Sequence, residues 1–326
     1  MFTKSQCFRA RLVTASAFLA LWAAGALAQS YPSRPIRVVV PFTPGGTSDV
    51  IVRPLIEKMT EYLGQTVVAD YAPGAGGTIA AAKVAASPPD GYTLLLASTG
   101  GLATGPHVTK ISYDPVKSFT PVGQVASSQY VVVVTANSPI TNLSDLLSRA
   151  RTNPGGLSYG TPGAGSLGHL AGELLKSTTN TQIVHVPYRG QSPMNVDLFG
   201  GRLDLAIAGL GGTVPAIKSG LLRAIGMTGA NRSGALPQTP TIAELGLPGF
   251  DAAVFWGVVA PAGTPPEIIE KLNASLRALV KNPEVKIYWT SQGQDPLSSS
   301  PAEFGNLIQR EYEKWRVVVK SANITE

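Results

Sequence analysis

The sequence predicts an α/β protein folded as two lobes. Three observations carry that prediction. Apolar runs of four to six residues alternate with longer helical patterns, loops of small residues open onto capped helices, and both halves of the chain repeat one strand–loop–helix plan.

Residues 36–41 (IRVVVP) read as the first strand. They run into PGGTSD (44–49), where Thr47, Ser48 or Asp49 caps a helix that extends to about Leu63 and stops at Gly64. Pro54 sits in an early turn of that helix, where it bends the axis. A second strand, 66–69, leads through APGAGGT to an alanine-rich helix at 78–86, and PPDG marks the next turn. Strand 92–97 ends in another small-residue loop, STGG. The run YVVVVT (130–135) is a buried strand, and NSPITNLSDL after it reads as a linker with a newly capped helix. The chain is therefore expected to cross to its second lobe there. That lobe repeats the plan: strand 157–159, loop GTPGAGS, a helix over 167–176, strand 183–186, loop PYRGQ, a helix, then strand 203–208. FWGVVA (255–260) crosses back, so residues 29–133 and 254–326 form lobe I and 134–253 form lobe II. Two helices close the chain, starting TPPE at 264 and SPAE at 300. Each has a Thr or Ser cap, proline at the first helical position and Glu three residues after the cap. Ile268, Leu272 and Leu276 in one, and Phe304, Leu307, Ile308 and Trp315 in the other, form core-facing stripes.

The N-terminus bounds the location. Lys4, Arg9 and Arg11 precede an acid-free apolar run, 12–27, that ends in Ala26-Leu27-Ala28, the pattern of a secretory signal peptide covering 1–28. The run is shorter than the roughly 20 residues a membrane-spanning helix needs. Cleavage after Ala28 leaves a periplasmic protein that begins at Gln29 and has lost Cys7, the single cysteine, so disulfides and thiol chemistry are excluded. A chain of 326 residues with 44% apolar content, 35 Gly and 26 Pro builds about two domains rich in tight turns. The leader carries three basic and no acidic residues, so its loss takes the net charge from +6 to +3 (23 basic against 20 acidic). That is too mild for nucleic-acid binding.

Eight segments carry a resemblance that spans nearly all of the chain after the leader. They are PFTPGGTSD (41–49), PGAGGTIAA (73–81), PDGYTLLLAS (89–98), YDPVKSFTPV (113–122), YGTPGAGSLGHLAGELL (159–175), VPYRG (186–190), GGRLDLAIA (200–208) and WGVVAPAGTPPEIIEKLN (256–273). In this order they resemble the Bug receptors, the periplasmic solute-binding subunits of tripartite tricarboxylate transporters. Ala69-Asp70-Tyr71 departs from the Glu-Asn pair more usual there. The resemblance implies a type II periplasmic-binding-protein fold, two α/β lobes joined by two hinge strands, with a small organic anion in the cleft. The ligand class it implies spans mono-, di- and tricarboxylates, amino acids and aromatic acids. It further implies delivery to the transporter's membrane subunits, without a cofactor or metal, by a chain expected to act as a monomer.

Loop chemistry agrees with that implication. In open α/β sheets ligands bind outside the carboxyl ends of the strands, where helix N-termini present unpaired N–H groups and the positive dipole end to an anion. The first-lobe candidates are Phe42, Gly45, Gly46, Thr47, Asp49, Ser98 and Thr99; those of the second lobe are Thr161, Gly163, Gly165, Ser166, His169, Tyr188, Arg189, Gly190 and Asp204. Glycine admits a ligand close to the backbone and Ser or Thr adds a hydroxyl without bulk. Bland readings stand beside these: the glycines as tight turns, Phe42 as core, Arg189 paired with Asp204 or solvent, His169 as helix packing, and Asp204 as the cap of its own turn.

Rival motifs are weaker. GAGSLG (163–168) matches a dinucleotide fingerprint, yet no acid follows at the end of the next strand, where Arg189 stands instead. GLSYG (156–160) matches the hydrolase string, but Ser158 falls early in a strand and not at the strand-to-helix turn. Only His107, His169 and His185 are on hand to complete a triad, and no paired-His metal motif or phosphate-loop lysine appears. A secreted serine hydrolase using Ser158, or a ligand sensor for a signalling partner, remains the alternative to a transport receptor.

Overall fold

The computed structural model of the chain describes residues 31–322 and 324; the expected leader 1–28, its cleavage site and Cys7 lie outside the described residues. The first half is built on β1 (Ile36–Val40), β2 (Val67–Tyr71) and β3 (Thr93–Ser98), with β1 central and parallel to both neighbours. Their connections are α1 (Thr47–Leu63) and α2 (Thr78–Ala85). β3 is buried at every position, as a strand covered on both faces must be. After it the chain makes one wide helical turn, Gly100–Thr104.

β4 (Phe119–Thr135) is the element on which the architecture turns. The sequence reading reaches only its last six residues; the structure carries the strand back through Pro121 and Gly123, with a register shift between them. Residues up to Gln129 pair with β9 (Ala253–Pro261), while residues from Tyr130 onward pair with β7 (Leu205–Gly209) and β8 (Leu222–Met227). The change of partner thus falls at Gln129–Tyr130, four residues before the position read from the sequence. The second half adds α3 (Leu143–Thr152), β5 (Ser158–Thr161), α4 (Leu167–Thr179), β6 (Val184–Pro187), α5 (Gln191–Phe199) and α6 (Val214–Lys218), with β5 parallel to β6 and β7. The strands follow one path, β2-β1-β3-β9-β4-β7-β5-β6, with β8 pairing alongside β4.

Thr228 fastens the return. Its hydroxyl accepts from Tyr130 N (3.1 Å) and donates to Ala252 O (2.7 Å), so the chain leaving β8 is tied both to the outgoing strand and to the one about to re-enter the first half. There α7 (Pro266–Lys281), α8 (Pro283–Ser291), β10 (Gln294–Pro296, paired with β4) and α9 (Pro301–Ser321) complete the chain.

The two closing helices differ in their starts. At α9, Ser300 accepts from Glu303 N (3.2 Å) and Glu303 accepts from Ser300 N (2.8 Å), the reciprocal capping expected from SPAE. At α7 the expectation fails: the cap is Pro265, with no side-chain bond, because the Thr264 hydroxyl donates backward to Pro261 O (2.8 Å). Leu272, Leu276, Phe304, Ile308 and Trp315 are buried in the core as their spacing predicts. Among the described residues no helix is long and apolar enough to cross a membrane.

Candidate functional site

The two halves meet face to face along the carboxyl ends of their parallel strands, and glycine sets how near they come. A β-carbon at Gly76 would lie 2.6 Å from Ala164 O and Ser166 N of the opposite half, and one at Gly46 would lie 3.1 Å from Gln191 Cβ. Hydrogen bonds cross the same seam. Thr47 Oγ1 donates to Gln191 Oε1 (3.2 Å) and accepts from Gly212 N (3.3 Å), Ser192 Oγ donates to Pro44 O (2.6 Å), and Thr104 Oγ1 donates to Gly165 O (2.6 Å). The structure is therefore a closed one.

Inside the seam lies a small cavity lined by Phe42, Gly46, Thr47, Ser48 and Trp256 from one side, by Pro162 and Gln191 from the other, and by Tyr130 at the point where β4 changes sheets. Its volume is about 10 Å³, room for roughly one water. Phe42 stands edge-on to Trp256, ring centroids 6.4 Å apart. Gly46 caps α1 in an ordinary extended conformation (φ −100°, ψ −168°). Asp49 N and Val50 N both reach Gly46 O, which leaves the Thr47 and Ser48 N–H groups of the first turn without an acceptor among the described residues. Ser48 Oγ is buried and has no hydrogen-bond partner. Gln191 is oriented by its Nε2, which donates to Gly209 O (2.9 Å). The Tyr130 hydroxyl is the one ionisable group in the lining, and burial pushes its pKa well above the usual phenol range. The chemistry is that of an anion site without a cation: helix-end amides, a spare hydroxyl and apolar walls.

Of the residues singled out from the sequence, Phe42, Gly46 and Thr47 line this cavity. Gly45 (φ +86°) turns the chain into α1 and abuts Ser192 Oγ. Thr99 is buried behind the wall, its hydroxyl accepting from Phe255 N (3.0 Å), and Ser98 is buried at the end of β3 with its hydroxyl unpartnered. In the second half Gly163 lies against Gly76, Gly165 against Gly105 and Gly190 against Thr43, so all three make the seam and not the lining. Ser166 caps α4 by accepting from His169 N (3.3 Å). Thr161 bonds His185 Nε2 (2.7 Å) and the Gly163 backbone. His169 lies one layer back, stacked on His185 at 4.1 Å, and burial lowers its pKa.

Four candidates are not brought to the cavity, each for a visible reason. The Asp49 carboxylate turns to Tyr71 (2.5 Å) and Arg53 (2.7 Å). Tyr71 belongs to the Ala69-Asp70-Tyr71 segment where the sequence departs from its resemblance, so that departure supplies the partner that holds Asp49 aside. The Tyr188 hydroxyl donates outward to Asp197 (2.6 Å), which Arg202 also holds. Arg189 is exposed and forms no ion pair among the described residues. Asp204 sits at the opposite end of its sheet, accepting from Ser158 N (2.8 Å) and Ser158 Oγ (2.9 Å). That last pair also places Ser158 at the start of β5 with a carboxylate partner and no histidine, unlike a nucleophile at a strand-to-helix turn.

Sequence reasoning passed over Ser48 as a helix cap and did not weigh Pro162, Gln191, Tyr130 or Trp256 as lining. Gln191 had a signal, since it follows PYRG at the head of a helix. Tyr130 and Trp256 had none, because each is buried in a strand and reads as core.

A two-half α/β fold closed over a cavity at the carboxyl ends of its strands is the architecture of solute-binding proteins. The chain belongs to the tripartite tricarboxylate transporter receptor family, whose model matches residues 51–324. A protein encoded in the tcbD-tcbE intergenic region of Pseudomonas sp. (strain P51) is 39% identical over 95% of this chain and 93% of its own length. An R. palustris protein solved with adipate superposes with a TM-score of 0.87 at 38% identity, covering 91% of this chain and all of its own (100%). The periplasmic binding protein BugD gives 0.87 at 33% identity, and MatC from Rhodopseudomonas palustris with bound malate gives 0.85 at 31%. They cover 91% and 89% of this chain and 100% of their own. The expected type II periplasmic-binding-protein architecture and Bug-type membership are thereby borne out.

Proposed function

We propose that this chain works in the periplasm as a non-catalytic receptor that closes on a small organic carboxylate and delivers it to the membrane subunits of its transporter. The observation that carries the reading is the buried, unpartnered Ser48 hydroxyl, set beside the free Thr47 and Ser48 amides at the N-terminus of α1. A carboxylate seated there accepts from both amides and from the hydroxyl, and the dipole of the 17-residue helix offsets its charge. Phe42 and Trp256 pack against the carbon chain behind the head group. Because the cavity here holds about one water, the halves part to admit a carboxylate and close on it less far than in this structure, with Gln129–Tyr130 and Ala252–Ala253 as the two bending points. Adipate and malate in two solved relatives support a carboxylate, and dicarboxylates are the first compounds to test.

Mass spectrometry of the small molecules released from purified protein, followed by calorimetric titration of adipate, malate and each released acid, tests the reading. Saturable binding of at least one carboxylate without turnover supports it. Absence of binding across the panel, or hydrolysis abolished by Ser158→Ala, overturns it.

A further inference from the structure

Gly165 is gripped from both sides of the seam. Its carbonyl accepts the buried Thr104 hydroxyl of the first half (2.6 Å), and its N–H donates to His169 Nδ1 of its own half (3.2 Å). A β-carbon at Gly165 would lie 2.9 Å from Gly105 Cα, so the two backbones pass here too closely to admit a side chain. Nδ1 accepts only while it carries no proton. His169 stacks on His185 with ring planes 12° apart, and His185 Nε2 meets Thr161 Oγ1 at 2.7 Å. Thr161 Oγ1 also lies 3.2 Å from Gly163 O, so the shorter contact to His185 is what ties the ring to the loop. The two rings therefore brace the 161–165 loop within its own half, His185 at Thr161 and His169 at Gly165, and the Gly165 end carries the hydrogen bond to Thr104 across the seam.

We propose that His169 is a positioning residue for closure: unprotonated, it sets the Gly165 peptide where its carbonyl takes the Thr104 hydroxyl across the seam, and protonation of the His169–His185 pair releases that latch and opens the cleft. The proposal rests on the cleft being the ligand site, and its first readout needs no ligand.

The surroundings decide the sign. His169 occupies the third position of α4, where the positive end of the helix opposes a cation. On the same helix Glu173 Oε1 lies 3.9 Å from His169 Nε2, but it is already committed to Lys176 (2.7 Å) and to Tyr159 of β5 (2.6 Å). β6 contributes His185 and β4 contributes Tyr130, whose ring lies against Gly168, whereas β7 and the 100–104 turn carry no titratable side chain. Burial lowers the pKa of both histidines, that of His185 to about 3. Once the halves part, the loop is free to move, water reaches its side of the pair, and the pKa of the pair rises from the closed-state value toward the ordinary one near 6.5. The open form then binds more protons, so closure weakens as pH falls below about 6.5.

Electron-paramagnetic distance measurement between nitroxides at Val196→Cys and Val317→Cys, exposed positions in opposite halves, with Cys7→Ser, reads the closed fraction directly. The unmodified latch should lose closed population on acidification from about pH 7.5 to about pH 4.5, with helix content by circular dichroism unchanged. His169→Asn keeps an acceptor at the Nδ1 position and should close at neutral pH while losing the pH response. His169→Leu, and independently Thr104→Val, should show reduced closure at both pH values. Affinity for adipate should follow, falling about fivefold in these two variants, the factor carried by one neutral hydrogen bond of about 1 kcal/mol. Normal closure in both, or an undiminished pH response in His169→Asn, overturns the proposal. A closed fraction that obeys the latch in a protein that binds no adipate leaves the latch standing and counts against the carboxylate reading alone.

Discussion

Valine at Gly46 separates ligand site from scaffold. The backbone there is extended, so an L-residue adopts it without strain. A β-carbon would sit 3.1 Å from Gln191 Cβ and 3.8 Å from Gln191 Oε1, and two γ-methyls reach beyond it. Gln191 is not free to withdraw, because its amide is pinned to Gly209 O (2.9 Å) and its oxygen to Thr47 (3.2 Å). The clash exists only when the halves are together. Overpacking of this kind costs about 1–3 kcal/mol, which lowers affinity by roughly 5- to 150-fold, whereas the ligand-free melting temperature should stay within about 1 °C, because without ligand the protein relieves the clash by shifting its closed population to the open form. Calorimetry with the identified carboxylate and differential scanning calorimetry without it measure the two quantities. Gly234→Val, at a glycine with nothing within 4 Å, controls for the substitution itself. Undiminished affinity in Gly46→Val would refute the assignment of the seam as the ligand site. An equal loss in melting temperature would show that Gly46 serves the fold.

Further outcomes follow from the same geometry. Ser48→Ala should lower carboxylate affinity by about 10- to 100-fold, the range for a hydrogen bond to a charged group, with no loss of ligand-free stability because the hydroxyl has no protein partner; titration and thermal melts check both. Arg189→Ala should change affinity less than about twofold, as an exposed unpaired cation does, and a tenfold loss would place that residue at the cleft after all. Stability should also depend on pH. His185 titrates near 6.5 when unfolded and at about 3 in the closed fold, so its neutral state favours that fold fully above about 6.5 and progressively less as pH falls toward 3. Urea midpoints across that window, compared with His185→Asn, should show the wild-type slope flattened in the variant.

The fold was largely legible because both of its codes are local. Short apolar runs between turn residues mark β1, β3 and β7, and capping chemistry marks α9, where Ser300 and Glu303 satisfy each other as the spacing requires. The misses have non-local causes. β4 reads as six residues long because only 130–135 is a continuous apolar run, whereas its first half mixes polar residues with Pro121 and Gly123 and is held as strand by its pairing with β9, register shifts included. Thr264 looked like a cap until tertiary packing offered its hydroxyl the Pro261 carbonyl.

The site was legible to a different depth on each side of the cleft. Loops that owe their shape to glycine were found, since positive φ and close approach demand that residue: Gly45, Gly163, Gly165 and Gly190 all have φ between +74° and +149°. What sequence could not assign is which loop faces cavity and which faces backbone, because that depends on the opposing half, some 120 residues away. The side chains that draw attention by charge, Asp49, Arg189 and Asp204, are those the structure directs elsewhere, into Tyr71 and Arg53, into solvent and onto Ser158. A receptor that must release its ligand to a transporter gains nothing from a buried ion pair, whose charges are costly to strip of water and costly to separate again. On the proposed reading, helix-end amides and one hydroxyl hold an anion while leaving no counter-charge stranded when it departs, and water can satisfy every one of them in the open form.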